Sequence, residues 1–516
     1  MTWKAAMYRL LSRVGLSPRA TRYQAPFEGA SFSRLNMDWA TSLLSSDQKL
    51  RFSQRVMRMR SRELAQNNDY VIRFLNLARQ NVIGRHGIGM EIAFDQEQFN
   101  GADALAEKIE TAWQRWSERV STCGQMSWVD FQQAWIAWFL ADGETFVKRV
   151  KGYPHNITRF ALQPIDPDVV DVSFNRDRIE SGGGGANEVR MGVELDSWRR
   201  PVAYWALRRH PGEGATVARD RIPAEEMDHS FVFKMIAQTR GVPWLHTAMT
   251  RMKMLGGYEE AELVASRLAA CKMGFFSSET GESYEGGERA ASGELEVTVE
   301  PGSWEELPAG LDVKTVDWQH PNQQFAEFSK AMLRGAAMGI NVSYSSLTGD
   351  LRDVNFSSIR QGILDERDGW ALLQAFAVDH LCKPVFSDWL RMAVTTGQVE
   401  LPRQLPVEAV IEATTWTPRG WDWVDPRRDV DADIAAVRAG MTSLKQVCAK
   451  RGFDWREVLE QRAKENTFAE GLGLSLDFTT SGAGGVEGDA QSEGSQPATP
   501  ATPARTKPNG QAPKVH

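Results

Sequence analysis

Apolar positions recur at helical spacing over much of the first 143 residues. The stretch "SRELAQNNDYVIRFLNLARQNVIG" carries Leu64, Val71, Phe74, Leu75 and Ala78 at that spacing and predicts one helix ending at Gly84. "ALAEKIETAWQRWSERV" sets Leu105, Ile109, Trp113, Trp116 and Val120 on a single stripe, the pattern of a helix with one face on a core. "WVDFQQAWIAWFLADGE" repeats it with Phe131, Trp135 and Trp138 and stops near Gly143. Tryptophans at this spacing are expected to pack a core rather than stack on a ligand. The period then changes. "EVRMGVEL" alternates strictly and predicts one strand with Val189, Met191, Val193 and Leu195 on one face. "PVAYWALRR" and "HSFVFKM" also read as strands, so residues 144–236 are mostly β.

From Pro243 a helical pattern runs to about Met273 through Leu245, Met249, Met252, Leu255, Leu263 and Ala270, and Gly256-Gly257 offers a kink point in its middle. "ELEVTVE" and "LDVKTVDW" then predict two strands. "PNQQFAEFSKAMLRGAAMGI" returns to helix, with Phe325, Phe328, Met332 and Ala336 in register. It gives way to "NVSYSSLTGDLRDVNFSSIRQGILDERDGW", a polar loop ahead of a long helix from about Ser357 to Cys382. Pro384 is expected to kink or end that helix. Residues 427–470 read as helical, with breaks at Gly440 and Gly452. Beyond Leu476 the chain ("PATPATPA") is too poor in apolar residues to fold. At the other end Trp3, Met7, Leu10 and Val14 share one face of a short amphipathic helix, while Arg9 and Arg13 break any signal-peptide pattern. Taken together, these elements describe a helix-rich α+β protein.

Composition narrows the classes. The 516 residues are about three domains' worth of chain, and 42% hydrophobic content is enough for real cores. No run approaches the ~18 apolar residues of a membrane span. Cys123, Cys271, Cys382 and Cys448 lie far apart with no CxxC, which argues against a disulfide framework or zinc site. Charge is segregated. Residues 1–90 hold 15 Lys and Arg against 5 Asp and Glu, net +10, whereas residues 277–318 hold 11 acidic against 2 basic residues, net −9. Such asymmetry speaks of surfaces and partners.

Candidate chemistry is sparse. The sequence has no GxxxxGK[ST], no HExxH and no GxSxG. The glycines of "SGGGGANE" lack the Lys-Ser/Thr of a phosphate cradle. Ser46 and Lys49 match SxxK without a supporting motif. Asp166 and Asp168 are expected to shape a turn entering a strand rather than hold a metal. Asp379, His380 and Cys382 are expected to be ordinary helix residues. No catalytic residue, metal or cofactor is expected, and no enzyme is called for.

Four blocks carry a resemblance: "ELAQNNDYVIRFLNLARQNVIG", "RIPAEEMDHSFVFKMIAQTRGVPWL", "SYSSLTGDLRDVNFSSIRQGILDERDGW" and "DIAAVRAGMTSLKQVCAKRGFDWREVLEQRAKE". In this order, from about Arg60 to Leu474, the chain resembles the lambda-type family of tailed-phage portal proteins. That resemblance implies a portal-protein fold in a homo-oligomeric ring of twelve subunits at one capsid vertex. Double-stranded DNA, without sequence specificity, would pass through its channel. By position, residues 1–240 correspond to an N-terminal and wing region, 241–276 to a first stem helix and 277–320 to an acidic β clip. Residues 321–340 correspond to a second stem helix, 341–356 to a tunnel loop, 357–425 to a long wing helix and its return, 426–475 to a crown, and 476–516 to a disordered tail. The clip, with Glu294, Glu296, Glu305 and Glu306, would dock the terminase large subunit and then a head-completion or adaptor protein. Capsid and scaffold proteins are the other partners implied. The location implied is the virion, after assembly in the bacterial host cytoplasm, and no membrane is involved.

The loop's residue types fit a channel wall. Tyr344, Ser345, Ser346, Thr348 and Asn355 offer hydrogen bonds to phosphate, Arg352 and Arg360 add charge, and Asp350 and Asp353 offset it. Each neutralised phosphate adds salt-dependent affinity, so a mixed surface allows weak contact without holding DNA. Two other classes compete: a DNA-processing enzyme, which would need a carboxylate cluster or P-loop, and a monomeric DNA-binding protein using residues 1–90.

Overall fold

The computed structural model describes residues 43–94, 101–177, 187–214, 218–270, 274–278, 288–289, 295–296, 311–315, 324–352, 355–421, 426–449, 451, 455–472 and 474. The expected N-terminal amphipathic helix and the tail lie outside them. The chain divides into two compact units, Met1–Phe453 and Asp454–His516. Within the second unit the described structure is one helix, Trp455–Gly471.

The first unit opens with α1 (Ser46–Asn67), started by a capping box in which Ser45 and Gln48 satisfy each other's backbone N–H. The single helix expected through Gly84 is in fact two. Asn68 is extended, accepts from the Val71 N–H and starts α2 (Asp69–Ala78), so a side chain that competes for backbone bonds breaks the run. Strand β1 (Gly89–Ile92) precedes α3 (Ala102–Ser117) and α4 (Trp128–Asp142). The tryptophans do pack a core. Trp113 has Trp116, Trp128, Phe386, Trp389 and Trp416 around it at ring-centre distances of 4.7–6.3 Å. Trp138, by contrast, lies on the exposed side.

Helix α4 ends at Gly143, whose φ of 81° suits glycine, and the chain turns directly into β2 (Glu144–Lys151). An antiparallel three-stranded sheet orders β3 (Phe160–Ile165), β2 and β8 (Met227–Phe231). A second sheet runs β4 (Glu188–Arg190), β5 (Val193–Leu195), β6 (Pro201–Leu207), β7 (Arg219–Pro223). The segment read as one strand over 188–195 is therefore a hairpin. Met191 (φ 48°) and Gly192 (φ 82°) turn it, and a Cβ on Gly192 would sit 2.9 Å from the Asp171 carbonyl oxygen. Its alternation survives because Val189, Met191, Val193 and Leu195 are all buried.

A 3₁₀ turn at Trp244–Thr247 leads into α5 (Met249–Ala270), which runs through Gly256 and Gly257 without a break. The strands β9 (Gly274–Ser278) and β12 (Leu311–Thr315) pair antiparallel, as do β10 (Glu288–Arg289) and β11 (Leu295–Glu296). Helix α6 (Phe325–Ile340) buries Ser329, Leu333, Ala336, Ala337 and Ile340, so Phe328 faces outward, unlike the expected register. A short α7 (Tyr344–Thr348) precedes α8 (Phe356–Ala377). The α-helical run of α8 stops short of Pro384, at Ala377. A π-helical turn at Val378–Cys382 takes up the mismatch, and Pro384 falls in the first turn of α9 (Lys383–Thr395), where its missing N–H costs nothing. Helix α10 (Val407–Glu412) leads into β13 (Thr414–Thr417), which pairs with β1. Helices α11 (Pro426–Arg438) and α12 (Leu444–Ala449) are separated at Gly440, as expected, and Gly452 lies outside the described residues. No helix among the described residues is long and apolar enough to cross a membrane.

Candidate nucleic-acid interface

The expected loop begins where α6 stops. Asn341 takes the left-handed conformation (φ 61°, ψ 46°), and the Asn341 and Val342 N–H groups close back on the last turn. Ser343 caps α7 by accepting from the Ser346 N–H at 3.0 Å, and Gly349 (φ 73°) ends it. The segment is therefore a capped helical turn where an open loop was expected, and Val342 and Leu347 are buried. It is tied to its neighbours. The Ser343 N–H donates to Glu366 of α8 at 3.1 Å, and Arg73 of α2 donates to the Ser346 carbonyl at 3.3 Å.

The polar groups expected to face DNA are largely engaged locally. The Ser343 hydroxyl donates to Ser346 Oγ (2.8 Å) and lies 3.2 Å from Ser345 Oγ. Thr348 donates to the Tyr344 carbonyl (2.8 Å), and Tyr344 to Asp350 (3.3 Å). Asn355 caps α8 through the Ser358 N–H at 2.9 Å. Arg360 pairs with Asp429 of α11 at 3.1 Å, both side chains about a third exposed. Arg352 differs. Its side chain is 87% exposed and meets Asp350 at 3.0 Å, while hydrogen bonds from Arg352 hold the Asp350 carboxyl down to about 2. Asp353 lies outside the described residues. Thus Arg352 presents a cation whose charge is locally balanced.

Helices α5 and α6 run side by side in opposite directions. Thr247 Oγ1 donates to the Gly339 carbonyl (2.8 Å), Trp244 to that of Ile340 (3.1 Å), and Tyr258 stacks on Phe325 at 5.6 Å. A Cβ on Gly335 would fall 1.7 Å from the Arg251 guanidinium, so glycine lets that arginine lie across the helix. The pair therefore carries the acidic segment at the end remote from α7. Of its named carboxylates, Glu296 is in β11, in register with Glu288, and Glu294, Glu305 and Glu306 lie outside the described residues.

The basic block at the N-terminal side is partly spent inside the protein. Gln54, Arg58 and Ser61, spaced i, i+4, i+7 on α1, are fully buried. Arg58 pairs with Glu144 (2.8 Å) and Asp168 (3.0 Å), and Arg62 with Asp142 (2.6 Å), Asp166 (2.9 Å) and Asp168 (3.0 Å). Glu144 also takes Arg240 (2.7 Å), His229 (3.0 Å) and the Gly241 N–H (2.8 Å). Burial opposes its charge, yet Arg240, His229 and Arg58 together hold its carboxyl well below the usual range. The His229 imidazole is pushed down, by burial first. Asp166, Asp168 and His210 bring ligand atoms within 4.8 Å of one another, but Arg62 already bonds both carboxylates. Asp166 instead shapes a turn through the Asp168 N–H (2.8 Å), and that turn leaves a strand, β3. Sequence reading missed this network: a buried arginine shows only as a polar residue on a core-facing stripe, and its carboxylate partners lie 80 to 110 positions away.

A family profile described as "Phage portal protein, lambda family" matches residues 32–374. The "Probable portal protein" of Halomonas phage phiHAP-1 is 34% identical over 467 residues, covering 87% of this chain and 87% of that protein. "Portal protein B" of Escherichia phage lambda is 21% identical over 468 residues, 80% of this chain and 84% of its own. Among solved structures, the "Neck of empty GTA particle computed with C6 symmetry" matches with a TM-score of 0.42 and 13% identity, over 77% of this chain and 99% of that one. With most of its length matched by the family profile and by a relative at this identity, the chain belongs to the lambda family of phage portal proteins.

Proposed function

We propose that this portal protein forms a ring of about twelve copies at one capsid vertex and passes double-stranded DNA through its centre without reading sequence or performing catalysis. The observation that carries the reading is the antiparallel α5–α6 pair, with the segment of net charge −9 at one end and the α7 turn with exposed Arg352 at the other. Residues 241–276 and 321–340 act as the stem, 277–320 as a clip and 341–356 as the constriction. Residues 1–240 and 357–425 form the wing, and 426–475 the crown. An acidic rim repels stalled duplex and complements a basic partner, so it suits docking of the terminase large subunit and then a head-completion protein. Tyr344, Ser345, Ser346, Thr348, Arg352 and Asn355 line the passage, with Arg352 as a phosphate contact. Arg360 braces α8.

Light scattering with negative-stain microscopy tests this. Rings with a central hole are the expected result. A monomer at every concentration would overturn it and favour a DNA-binding protein that acts alone.

A further inference from the structure

Two helices turn outward faces of opposite charge to solvent. On α1 the core side is Leu50, Gln54, Arg58, Ser61 and Leu64. Opposite them, at the same spacing, Phe52, Val56 and Met59 are 78%, 47% and 57% exposed, flanked by exposed Arg55 and Arg60. On α8 the core side is Trp370, Leu373, Gln374 and Ala377. Its outward side carries Leu364 and Leu372, 40% and 75% exposed, with exposed Asp365 and Asp368 between them. Among the described residues no ion pair engages Arg55, Arg60, Asp365 or Asp368, and Asp365 accepts one bond, from Gln361 at 2.7 Å. Each helix has 22 residues, about 33 Å of length, enough for several turns of contact. Large exposed apolar groups in register, rimmed by charge, mark a surface that is covered in the assembled state.

We infer that the outward face of α1 on one copy packs against the outward face of α8 on a second copy of this chain. Charge selects the pairing. Two α1 faces would set arginine against arginine, and two α8 faces aspartate against aspartate, whereas α1 on α8 neutralises both. The contact is therefore head-to-tail, and head-to-tail contacts propagate, closing as a ring when the rotation between copies allows it. Glu63 is an acidic exception at the far end of the α1 stripe, and Asp47 in its first turn is already used by Thr239 and Arg199 within the chain. The inference rests on the ring reading above and adds which surfaces make the joint.

The test uses two full-length variants, Arg55→Glu with Arg60→Glu, and Asp365→Lys with Asp368→Lys. Each alone puts like charges across every joint and is expected to lose ring mass in light scattering at low salt. Mixed in equal amounts they restore opposite charges at every joint, and ring mass returns. Circular dichroism and melting confirm that each variant is folded. Should a charge variant fail to fold, Phe52→Ser and Leu372→Ser each probe the same joint and are expected to lower the ring fraction at all salt concentrations. Rings from either charge variant alone, or a folded mixture that stays unassembled, would overturn the inference. Wild-type protein that forms no rings would overturn the ring reading itself, and the inference with it.

Discussion

The Arg240 guanidinium lies 2.7 Å from the Glu144 carboxylate, and neither side chain has any exposed surface. Two glycines make this approach possible. A Cβ on Gly241 would fall 2.1 Å from the Gly143 carbonyl oxygen, and one on Gly143 2.0 Å from the Val242 carbonyl carbon. Backbone thus presses on backbone, and the residues beside the two glycines meet.

Glu144→Gln is expected to destabilise the protein by about 3–5 kcal/mol, because it leaves Arg240 buried beside a neutral group and Arg58 with Asp168 as its remaining carboxylate. The folded-state carboxyl lies well below its ordinary value of 4.5, so its contribution is complete above that pH and fades as pH falls. Urea midpoints at pH 7, 5 and 4 check this: the wild type should lose more than the variant on acidification.

Asp228 carries the opposite sign. Burial, then repulsion from Asp388, outweigh Arg149 and Lys151 and push its carboxyl up from 3.8 to about 7. The contribution of a group raised on folding is full below the unfolded value and is lost as pH rises through the folded one. Asp228→Asn should therefore gain stability relative to wild type between pH 5 and pH 8. An equal difference at both values would show that Arg149, 3.2 Å away, keeps the group charged.

These two sites mark the limit of what the sequence discloses. Helical stripes such as Leu105, Ile109, Trp113 and Trp116 were legible because burial follows a local period. The family was legible from four ordered blocks. The Met191-Gly192 turn was not, since a tight hairpin leaves alternation intact. The Arg58–Glu144–Arg240 network was not, because charge pairing across distant segments has no period. The apparent basic character of residues 1–90 was for the same reason overstated as a surface property. The end of α6 at Ile340 was legible, but Ser343 caps a helical turn instead of projecting free, a choice made by geometry that composition does not encode.

No divalent-ion chemistry is expected from Asp166, Asp168 and His210. Millimolar Mg²⁺ or Mn²⁺ should leave the melting temperature unchanged and induce no hydrolysis of DNA or ATP. Metal-dependent cleavage abolished by Asp166→Ala would instead make this cluster a nuclease site.

The acidic segment is expected to dock a basic partner. Reversing Glu294, Glu296, Glu305 and Glu306 to lysine should leave rings intact and weaken terminase binding, most at low salt, where screening is least. Binding that is equal across 50–500 mM salt (roughly 14 to 4 Å of screening length) in both proteins would reduce the segment to a solvated surface.

The turn after α6 separates structural from functional residues within one short stretch. Leu347, 2% exposed, belongs to the same buried cluster as Phe74 of α2, Ile340 of α6 and Trp370 of α8, whereas Arg352 projects outward beyond Gly349. Leu347→Ala should cost about 2–4 kcal/mol through the cavity it leaves. Removing Ser345–Asp353 entirely would therefore disturb the fold, and a loss of assembly in that deletion says nothing about a channel. Arg352→Glu is the informative change. Its side chain contacts no core, so the melting temperature and ring mass should match wild type. In a channel, however, it converts a phosphate contact into a repulsive charge repeated in every subunit. DNA packaged per capsid should then fall several-fold, with partial recovery when added salt screens the repulsion. Normal packaging by a ring carrying Arg352→Glu would show that α7 does not line the passage.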